Sequence, residues 1–282
     1  MKNHYHKRLI IGYTGKNSVL AKSFIKDYNY KFKFKCYSNN IKDNFKLTKW
    51  FKKNSDINIF INFAAITSSI YCNNNKDEAL LTNFKSVVNI LNIIQTNKLK
   101  NFNYFLIISS SHVFKKSFKK LNENSAKKPS NFYGVTKLNL EKFISQNSKK
   151  FQFKIGIARI FNYYNHGKKK GFFINDIIDK LNNSNQIIHF NNINTYRDFI
   201  SMKNINTALY KMISLKLTND FNICSGQKIY LPNIIDNLNK KFKNKKIIFD
   251  KKKLPGIIGS NIKLKRKGWK IKKDNFLNDL LK

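Results

Sequence analysis

Short apolar runs alternate with amphipathic stretches along most of the chain, and the two patterns predict different elements. Runs typical of strands occupy residues 8–13, 32–37, 57–65, 104–111 and 153–161. The spacing of apolar residues predicts helices from about Val19 and over residues 78–95. Nearly continuous apolar strands separated by helices are typical of a parallel sheet covered on both faces. The pattern therefore predicts an α/β protein with a doubly wound parallel sheet of the Rossmann type.

The regular alternation of predicted strands and helices ends at about residue 162, which indicates a second, smaller part of the molecule. We predict a large core over residues 7–162, to which residues 195–222 return. Residues 163–194 and the mixed, lysine-rich tail 223–282 form the predicted smaller C-terminal lobe.

The composition gives a formal net charge of +40, from 55 basic and 15 acidic residues. A charge of this size is typical of proteins that bind nucleic acids or anionic surfaces. Only four of the basic residues are arginine, however, while asparagine reaches 43 and alanine only seven. This bias favours residues encoded by A/T-rich codons, and the lysines are spread over the whole length. We therefore attribute the charge to composition and expect no nucleic-acid partner.

The sequence contains no signal for a membrane, an export route or a metal. It has no run of 18 apolar residues, so no membrane span is expected. The first residues lack the apolar core of a secretory signal. Cys36, Cys72 and Cys224 lie far apart without the spacing of zinc ligands. We expect a cytoplasmic protein without a metal site.

Small residues follow the first predicted strand in a G-x-x-G-x-x-S pattern formed by Gly12, Gly15 and Ser18, with Thr14 inside it. Glycine allows the backbone to approach a pyrophosphate closely, and the N-terminus of the following helix offers free N–H groups. The position between a strand and a helix therefore makes this turn a candidate phosphate site.

The third predicted strand ends in Asn62, Phe63, Ala64 and Ala65. Two adjacent alanines in an alanine-poor chain indicate a place where nothing larger fits. They either allow a helix to pack closely or form the floor under a flat cofactor, and the residues alone leave both readings open.

The fourth predicted strand ends in three serines, the middle one being Ser110. Tyr133 follows, and together with Lys137, Leu140 and Ile144 it lies on one face of a predicted helix. The two apolar residues of this face would pack on the sheet. The tyrosine and lysine would then lie at its carboxyl edge, where open parallel sheets bind ligands.

Taken together, these segments resemble the extended short-chain dehydrogenase/reductases, in the NAD-dependent epimerase/dehydratase group that acts on nucleotide sugars. The resemblance covers nearly the whole chain and rests on six segments in family order: GYTGKNS, NFAA, SSSHVF, YGVTK, ARIFN and YRDFISMKNI. It implies a dinucleotide-binding core, a substrate-binding smaller lobe, NAD or NADP as cofactor, a nucleotide-sugar substrate and a possible homodimer.

The resemblance also implies a catalytic set of Ser110, Tyr133 and Lys137. Tyr133 would give a proton to the substrate oxygen, and the positive charge of Lys137 would favour the tyrosinate. In the family this lysine also holds the nicotinamide ribose. Ser110 lies three residues before Val113, where the family has its catalytic Ser or Thr, and would hydrogen-bond the substrate oxygen.

Three further residues match family positions that bind ligands. Asn83 matches the asparagine that steadies the catalytic loop and the cofactor. Asn162 and Arg197 match residues that contact the substrate diphosphate. Arg197 is also one of only four arginines, although a surface ion pair with Asp198 is an alternative explanation.

The sequence departs from the family where NAD usually finds a carboxylate, at the end of the second strand. That place falls at Cys36, followed by Tyr37 and Ser38. Ser38 or Lys42 could receive a 2′-phosphate, which favours NADP over NAD.

The residues after the catalytic serine bear on the reaction. The family's 4,6-dehydratases have an acid pair where this chain has Ser111 and His112, which argues against dehydration. Reduction of a 4-keto sugar is the preferred interpretation, because HVF resembles the reductases. An epimerase is the alternative, since YRDFISMKNI and ARIFN are closer to that branch. A non-catalytic dinucleotide-binding regulator is a third reading.

Overall fold

The computed structural model describes residues 8–164, 173–183, 187–240, 245–273 and 276. Within these residues the chain divides into two compact units. The first contains the chain up to Val113, Pro129–Arg159 and Asn206–Phe221. The second contains Phe114–Lys128, Ile160–Ile205 and the residues from Asn222 onward.

The strands of the described residues are numbered along the chain. They are β1 (Ile10–Thr14), β2 (Lys33–Cys36), β3 (Ile59–Asn62), β4 (Tyr104–Ser110), β5 (Lys154–Ile160), β6 (Asn162–Tyr164), β7 (Ile187–Phe190), β8 (Tyr196–Arg197), β9 (Phe199–Ser201), β10 (Asn219–Ile223), β11 (Ile229–Tyr230) and β12 (Lys246–Phe249).

The helices are α1 (Val19–Tyr28), α2 (Asn44–Lys53), α3 (Ser69–Asn74), α4 (Lys76–Leu80), α5 (Ser86–Thr96), α6 (Phe132–Asn147), α7 (Phe173–Asn183), α8 (Met202–Ser214), α9 (Leu231–Asn239) and α10 (Ile262–Arg266). A π-helical turn, Leu81–Lys85, joins α4 to α5, and a 3₁₀ turn, Ser111–Val113, follows β4.

Six strands form the central sheet in the order β10-β5-β4-β3-β1-β2. β1 pairs in parallel with both β2 and β3, and β3 pairs in parallel with β4. The strand order reverses at β1, so the carboxyl ends of β1 and β3 open a crevice of the kind that binds ligands in doubly wound sheets. The predicted fold class and the five predicted strands are confirmed.

The first unit has an apolar core against which α6 packs. Leu140 and Ile144 of α6 are buried in it, as the predicted helix face required, together with Val87, Ile90 and Leu91 of α5. Each such side chain stabilises the fold by about 1.5–3 kcal/mol when it is fully buried. Burial of this face therefore sets the rotation of α6 about its axis.

The second unit has its own core, formed where α7, α9 and β7 meet. Its buried members include Ile177, Leu181, Ile188, Ile234 and Leu238. Three two-stranded ribbons, β11-β8, β12-β7 and β6-β9, also belong to this unit.

The division of the chain differs from the predicted one in two longer segments, and also at residues 160–162 and Asn222, which fall in the second unit. Phe114–Lys128 belongs to the second unit, because Ser117 and Leu121 form β-bridges with Gly256 and Gly259. The residues from 195 to 205 also belong there, because their strands pair within that unit. Some residues of the predicted lobe lie outside the described ranges: 165–172, 184–186, 241–244, 274–275 and 277–282.

Among the described residues, no helix combines the length and the apolar character that crossing a bilayer requires.

Candidate active site

The turn between β1 and α1 brings backbone close to the loop that follows β3. Gly15 has a φ of +76°, and a Cβ there would lie 2.7 Å from the backbone nitrogen of Ala64. Only glycine fits this conformation and this space. Ser18 caps α1, since its hydroxyl accepts a hydrogen bond from the Ala21 N–H at 3.4 Å. The helix N-terminus therefore lies directly beside the crevice, where it can bind phosphate.

Thr14 and Asn62 shape the floor of this crevice. The Thr14 hydroxyl donates to Asn62 Oδ1 at 2.6 Å and accepts from the Ala64 N–H at 3.2 Å. Asn62 Nδ2 donates to the Ala64 carbonyl at 3.1 Å. Both residues are buried, so these contacts hold the loop after β3 against β1. Gly12 lies inside the sheet, where a Cβ would lie 2.8 Å from Phe60.

A cleft of about 480 Å³ opens beyond the carboxyl ends of β1 and β2. Its walls include four residues predicted to bind cofactor, namely Gly15, Ser18, Ala64 and Ala65. The volume lies in the range of ligand-binding pockets. The glycine turn and the two alanines line it with small residues, and the helix N-terminus offers N–H donors. These features fit the adenosine and pyrophosphate part of a dinucleotide.

The second strand ends at Cys36, as the sequence predicted, with Cys36 opposite Tyr13 in the β1–β2 register. Burial raises the pKa of Tyr13 to about 12, and a hydrogen bond with Cys36 adds to the effect. Ser38 lines the cleft, whereas the Lys42 ammonium contacts the Glu78 carboxylate at 3.5 Å. The end of β2 therefore presents a hydroxyl to the cleft where NAD enzymes usually present a carboxylate.

Close packing at the start of α6 brings Tyr133 to the end of β4. Asn131 caps α6 by accepting from the Gly134 N–H at 2.9 Å. A Cβ on Gly134 would collide with the backbone carbonyl of His112, in the 3₁₀ turn after β4. The missing side chain thus allows the first turn of α6 to lie against this turn.

Lys137 is 2% exposed, and its ammonium donates to the Ile108 carbonyl at 2.8 Å. The Nζ atom lies 5.8 Å from the centroid of the Tyr133 ring. Burial lowers the pKa of Lys137 to about 8, although the negative charge of Glu141 and an interaction with Cys72 act in the opposite direction. The lysine is therefore a buried cation beside the phenol, as the proposed chemistry needs.

Ser110 is the last residue of β4 and is 7% exposed. Its hydroxyl accepts a hydrogen bond from the His112 N–H at 3.3 Å. The His112 ring lies edge-on to the Tyr133 ring with centroids 5.6 Å apart, and its Nδ1 lies 2.8 Å from Asn131 Nδ2. The 3₁₀ turn thus connects the serine at the strand end to the tyrosine on the helix.

Asn83 lies on the π-helical turn and is fully buried. Its amide accepts from the Ile66 N–H at 2.8 Å and donates to the Ile66 carbonyl at 2.9 Å. It also donates to the Thr136 hydroxyl at 3.2 Å, which in turn donates to the Tyr133 carbonyl at 2.7 Å. Asn83 therefore links the loop after β3 to the first turns of α6.

The sequence analysis assigned no role to a buried ionic network below this site. Glu141, one turn after Lys137 on α6, binds the Arg159 guanidinium through both carboxylate oxygens, at 2.9 and 2.8 Å. Glu141 also accepts from the Ser109 hydroxyl at 2.7 Å. The available signal was that Arg159 is one of four arginines and stands between apolar neighbours, Ala158 and Ile160, in β5.

The two residues predicted to bind substrate lie in the second unit. Asn162 Nδ2 donates to the backbone carbonyl of Asp198 at 3.2 Å. Arg197 lies on β8, and burial lowers its pKa to about 10. The Asp198 carboxylate is buried and accepts hydrogen bonds from Ser225, Gly226 and Gly259. The structure thus places Asn162 beside the backbone that carries Arg197.

The chain belongs to the family whose model is described as GDP-mannose 4,6 dehydratase, which matches residues 2–267. The predicted resemblance to the epimerase/dehydratase group of nucleotide-sugar enzymes is thereby confirmed.

Among curated relatives, GDP-6-deoxy-D-talose 4-dehydrogenase of Aggregatibacter actinomycetemcomitans is 23% identical over 219 residues, which is 76% of this chain and 73% of the relative. GDP-6-deoxy-D-mannose reductase of Pseudomonas aeruginosa is 26% identical over 163 residues, 54% of each chain.

Solved structures share the fold. RMD from Pseudomonas aeruginosa complexed with NADPH matches with a TM-score of 0.81 and 20% identity, over 97% of this chain and 98% of the other. UDP-glucose 4-epimerase of Thermus thermophilus in complex with NAD matches with a TM-score of 0.80 and 12% identity, over 96% of each chain.

Proposed function

We propose that the protein is a nicotinamide-dependent reductase that acts on the 4-keto group of a GDP-activated 6-deoxy sugar. The observation that carries this proposal is the set of Ser110, Tyr133 and Lys137 around the carboxyl end of β4, with Lys137 buried beside the phenol. The two curated relatives support the sugar class, since both are named as oxidoreductases of GDP-6-deoxy sugars.

In this proposal each residue has a distinct task. The bound nicotinamide supplies hydride. Ser110 donates a hydrogen bond to the substrate carbonyl oxygen, where negative charge develops. Tyr133 gives its proton to that oxygen, and the buried Lys137 ammonium stabilises the phenolate that remains. Lys137 also holds the nicotinamide ribose, so its loss affects both binding and chemistry.

The residues that follow Ser110 favour reduction over dehydration. Elimination of water needs an acid and a base at the sugar, which the dehydratases of the family supply at the two positions held here by Ser111 and His112. Ser111 is buried and carries no carboxyl group. His112 lies against Asn131 and the Tyr133 ring. We therefore assign to this chain the hydride transfer of the family but not the elimination of water.

NADPH is the proposed reductant. Cys36 at the end of β2 offers no carboxylate to a ribose 2′-hydroxyl, while Ser38 in the cleft offers a hydroxyl to a 2′-phosphate. The RMD structure with NADPH supports the same choice.

Asn162 and Arg197 are the proposed ligands of the substrate diphosphate. The planar guanidinium of arginine donates paired hydrogen bonds to phosphate oxygens, which a lysine cannot do. Arg197 is one of only four arginines among the 55 basic residues of the chain.

The test is to follow nicotinamide absorbance with NADPH and GDP-4-keto-6-deoxymannose, and with the dTDP and UDP analogues as comparisons. A reductase consumes one NADPH for each sugar reduced, and the GDP sugar should be preferred. An epimerase would interconvert sugars without net NADPH consumption, and a regulator would bind the dinucleotide without turnover. Either of these results would contradict the proposal.

Tyr133→Phe tests the assigned chemistry, because it keeps the ring and removes the proton. It should bind NADPH like the wild type and lose turnover by a factor on the order of a hundred or more. Tyr30→Phe, at an exposed position, is the matched control and should keep full activity. Full activity of Tyr133→Phe would show that another group donates the proton.

A further inference from the structure

His112 is held at two points by the start of α6. A side chain on Gly134 would collide with the backbone carbonyl of His112, so the two backbones lie in close contact. The His112 ring nitrogen Nδ1 lies 2.8 Å from Asn131 Nδ2. Phe132, the first residue of α6, donates its N–H to Asn73 Oδ1 at 2.8 Å, which attaches the start of the helix to α3. The imidazole therefore contacts a helix terminus whose position is itself fixed.

The helix cap determines which atom of Asn131 faces His112. Asn131 Oδ1 accepts from the Gly134 N–H at 2.9 Å, as the N-cap of α6. Turning the amide over would place its NH₂ group against this N–H, so that two donors would meet. The NH₂ group therefore points at His112 Nδ1, which must accept the hydrogen bond and carries no proton. Since this conclusion depends only on the atom that faces Nδ1, the ring is neutral and has its proton on Nε2.

The fixed ring packs against Tyr133. The centroids of the His112 and Tyr133 rings lie 5.6 Å apart with 74° between the ring planes, which is the favourable T-shaped arrangement. The backbone N–H of His112 also donates to the Ser110 hydroxyl at 3.3 Å. His112 thus contacts two members of the proposed catalytic set. An imidazolium at this place would add a positive charge beside the phenol and lower its pKa, whereas the neutral ring orients the phenol without adding that charge.

We propose that Asn131 is a positioning residue that fixes His112 in the neutral tautomer with its proton on Nε2, and that His112 in turn orients the Tyr133 ring for proton transfer. Asn131 acts with two different atoms. Oδ1 caps the helix that carries Tyr133, and Nδ2 sets the ring that packs against Tyr133. This inference rests on the proposed function for the task of Tyr133, and it gives a role to an asparagine to which the sequence analysis assigned none.

Asn131→Asp separates the two tasks. Aspartate caps a helix about as well as asparagine, so one carboxylate oxygen keeps the Gly134 N–H. The other oxygen can only accept a hydrogen bond, so His112 must place a proton on Nδ1. Asn131→Ser also keeps a capping oxygen, but it removes the group that faces Nδ1, so both tautomers should become populated. Asn92→Asp, at an exposed position of α5, makes the same chemical change and is the matched control.

The first measurement is the NMR spectrum of the imidazole nitrogens in ¹⁵N-histidine-labelled protein at neutral pH, without ligands. Protonated and unprotonated ring nitrogens resonate in separate regions, and His112→Gln identifies the signals of His112. In the wild type, Nδ1 should have the signature of an unprotonated nitrogen and Nε2 that of a protonated one. Asn131→Asp should move a proton onto Nδ1, while Asn92→Asp should leave both signals unchanged.

The second measurement is steady-state reduction of GDP-4-keto-6-deoxymannose with NADPH. Asn131→Asp and Asn131→Ser should lower kcat by roughly three- to tenfold, the range expected for the net contribution of one hydrogen bond. The Kd for NADPH, measured by calorimetry, and the Tm of Asn131→Asp should stay at the wild-type values, because the cap and the cofactor cleft are unchanged. A purely structural role of Asn131 would instead lower the Tm and leave the histidine signals of the folded protein in place.

The inference is overturned if wild-type His112 carries a proton on Nδ1, if Asn131→Asp leaves Nδ1 unprotonated, or if the proton moves while kcat stays at the wild-type value. Failure of the proposed function is a separate result: the histidine signals are as expected, yet no keto sugar is reduced. The ring signal of Tyr133 in ¹³C-tyrosine-labelled protein, identified with Tyr133→Phe, then tests the positioning. It should shift in Asn131→Asp but not in Asn92→Asp, and an unchanged signal in Asn131→Asp overturns the inference.

Discussion

Replacing Lys137 by methionine should make the protein more stable at neutral pH while it impairs function. The lysine is buried, and burial lowers its pKa from an ordinary 10.5 to about 8. A lysine whose pKa is lower in the folded than in the unfolded chain destabilises the folded state while it carries its charge. Methionine has a similar length and no charge, so it removes this cost.

The magnitude follows from the two pKa values. A difference of about 2.5 units corresponds to about 3 kcal/mol, at 1.36 kcal/mol for each unit. The lost hydrogen bond to the Ile108 carbonyl offsets about 1 kcal/mol of this. A net gain of about 2 kcal/mol remains at pH 7, which should raise the Tm by roughly 5 °C.

The same two pKa values determine how the stability difference between the wild type and Lys137→Met changes with pH. Between pH 8 and 10.5 the unfolded chain holds a proton on Lys137 that the folded chain has lost, so wild-type stability rises with pH across this window. The advantage of the methionine variant should therefore be complete below pH 8 and disappear as pH approaches 10.5.

The assay is urea unfolding of the wild type and Lys137→Met at pH 7 and pH 10, with Lys142→Met as a control on the exposed side of α6. The control should change stability little at either pH. A Lys137→Met variant that is less stable than the wild type at pH 7, or whose advantage does not shrink at pH 10, would refute this reasoning.

Two further predictions concern the helix start and the cofactor. Gly134→Ala would normally favour a helix by about 1 kcal/mol. Here the new methyl group meets the His112 carbonyl, so we expect a net loss of about 1–3 kcal/mol in thermal unfolding and lower turnover; unchanged stability would contradict the close packing. Titration of the pure protein should show tighter binding of NADPH than NADH. Cys36 and Ser38 occupy the place where NAD enzymes have a carboxylate, and a carboxylate there would repel the 2′-phosphate of NADPH. Tighter NADH binding would reverse that assignment.

Local patterns predicted the sheet and α6 well. The strands β1, β3 and β4 were found because nearly all their residues are buried and most are apolar. β2 was found because its apolar residues alternate with lysines. The face of α6 was found because Leu140 and Ile144 repeat with the helical period and enter the core. The end of β2 at Cys36 followed from its spacing to the glycine turn.

Features that depend on distant partners escaped the sequence analysis. The π-helical turn at Asn83 looks like ordinary helix, because its apolar spacing continues from α4 into α5. The sequence analysis assigned Phe114–Lys128 to the wrong unit, because its bridges to Gly256 and Gly259 span more than a hundred residues. Glu141 resembled any polar residue on a helix until Arg159 was placed opposite it.

The buried Asp198 has a consequence for how the second unit acquires its structure. Its carboxylate accepts from backbone N–H groups that lie 27, 28 and 61 positions further along the chain. Contacts of such sequence separation require large loops to close and so form late in folding. Arg197 directly precedes Asp198, so its backbone is fully anchored only after the segment around Gly259 has folded onto Asp198. A polypeptide that ends before Gly259 would carry the arginine without one of the three backbone anchors of its neighbour.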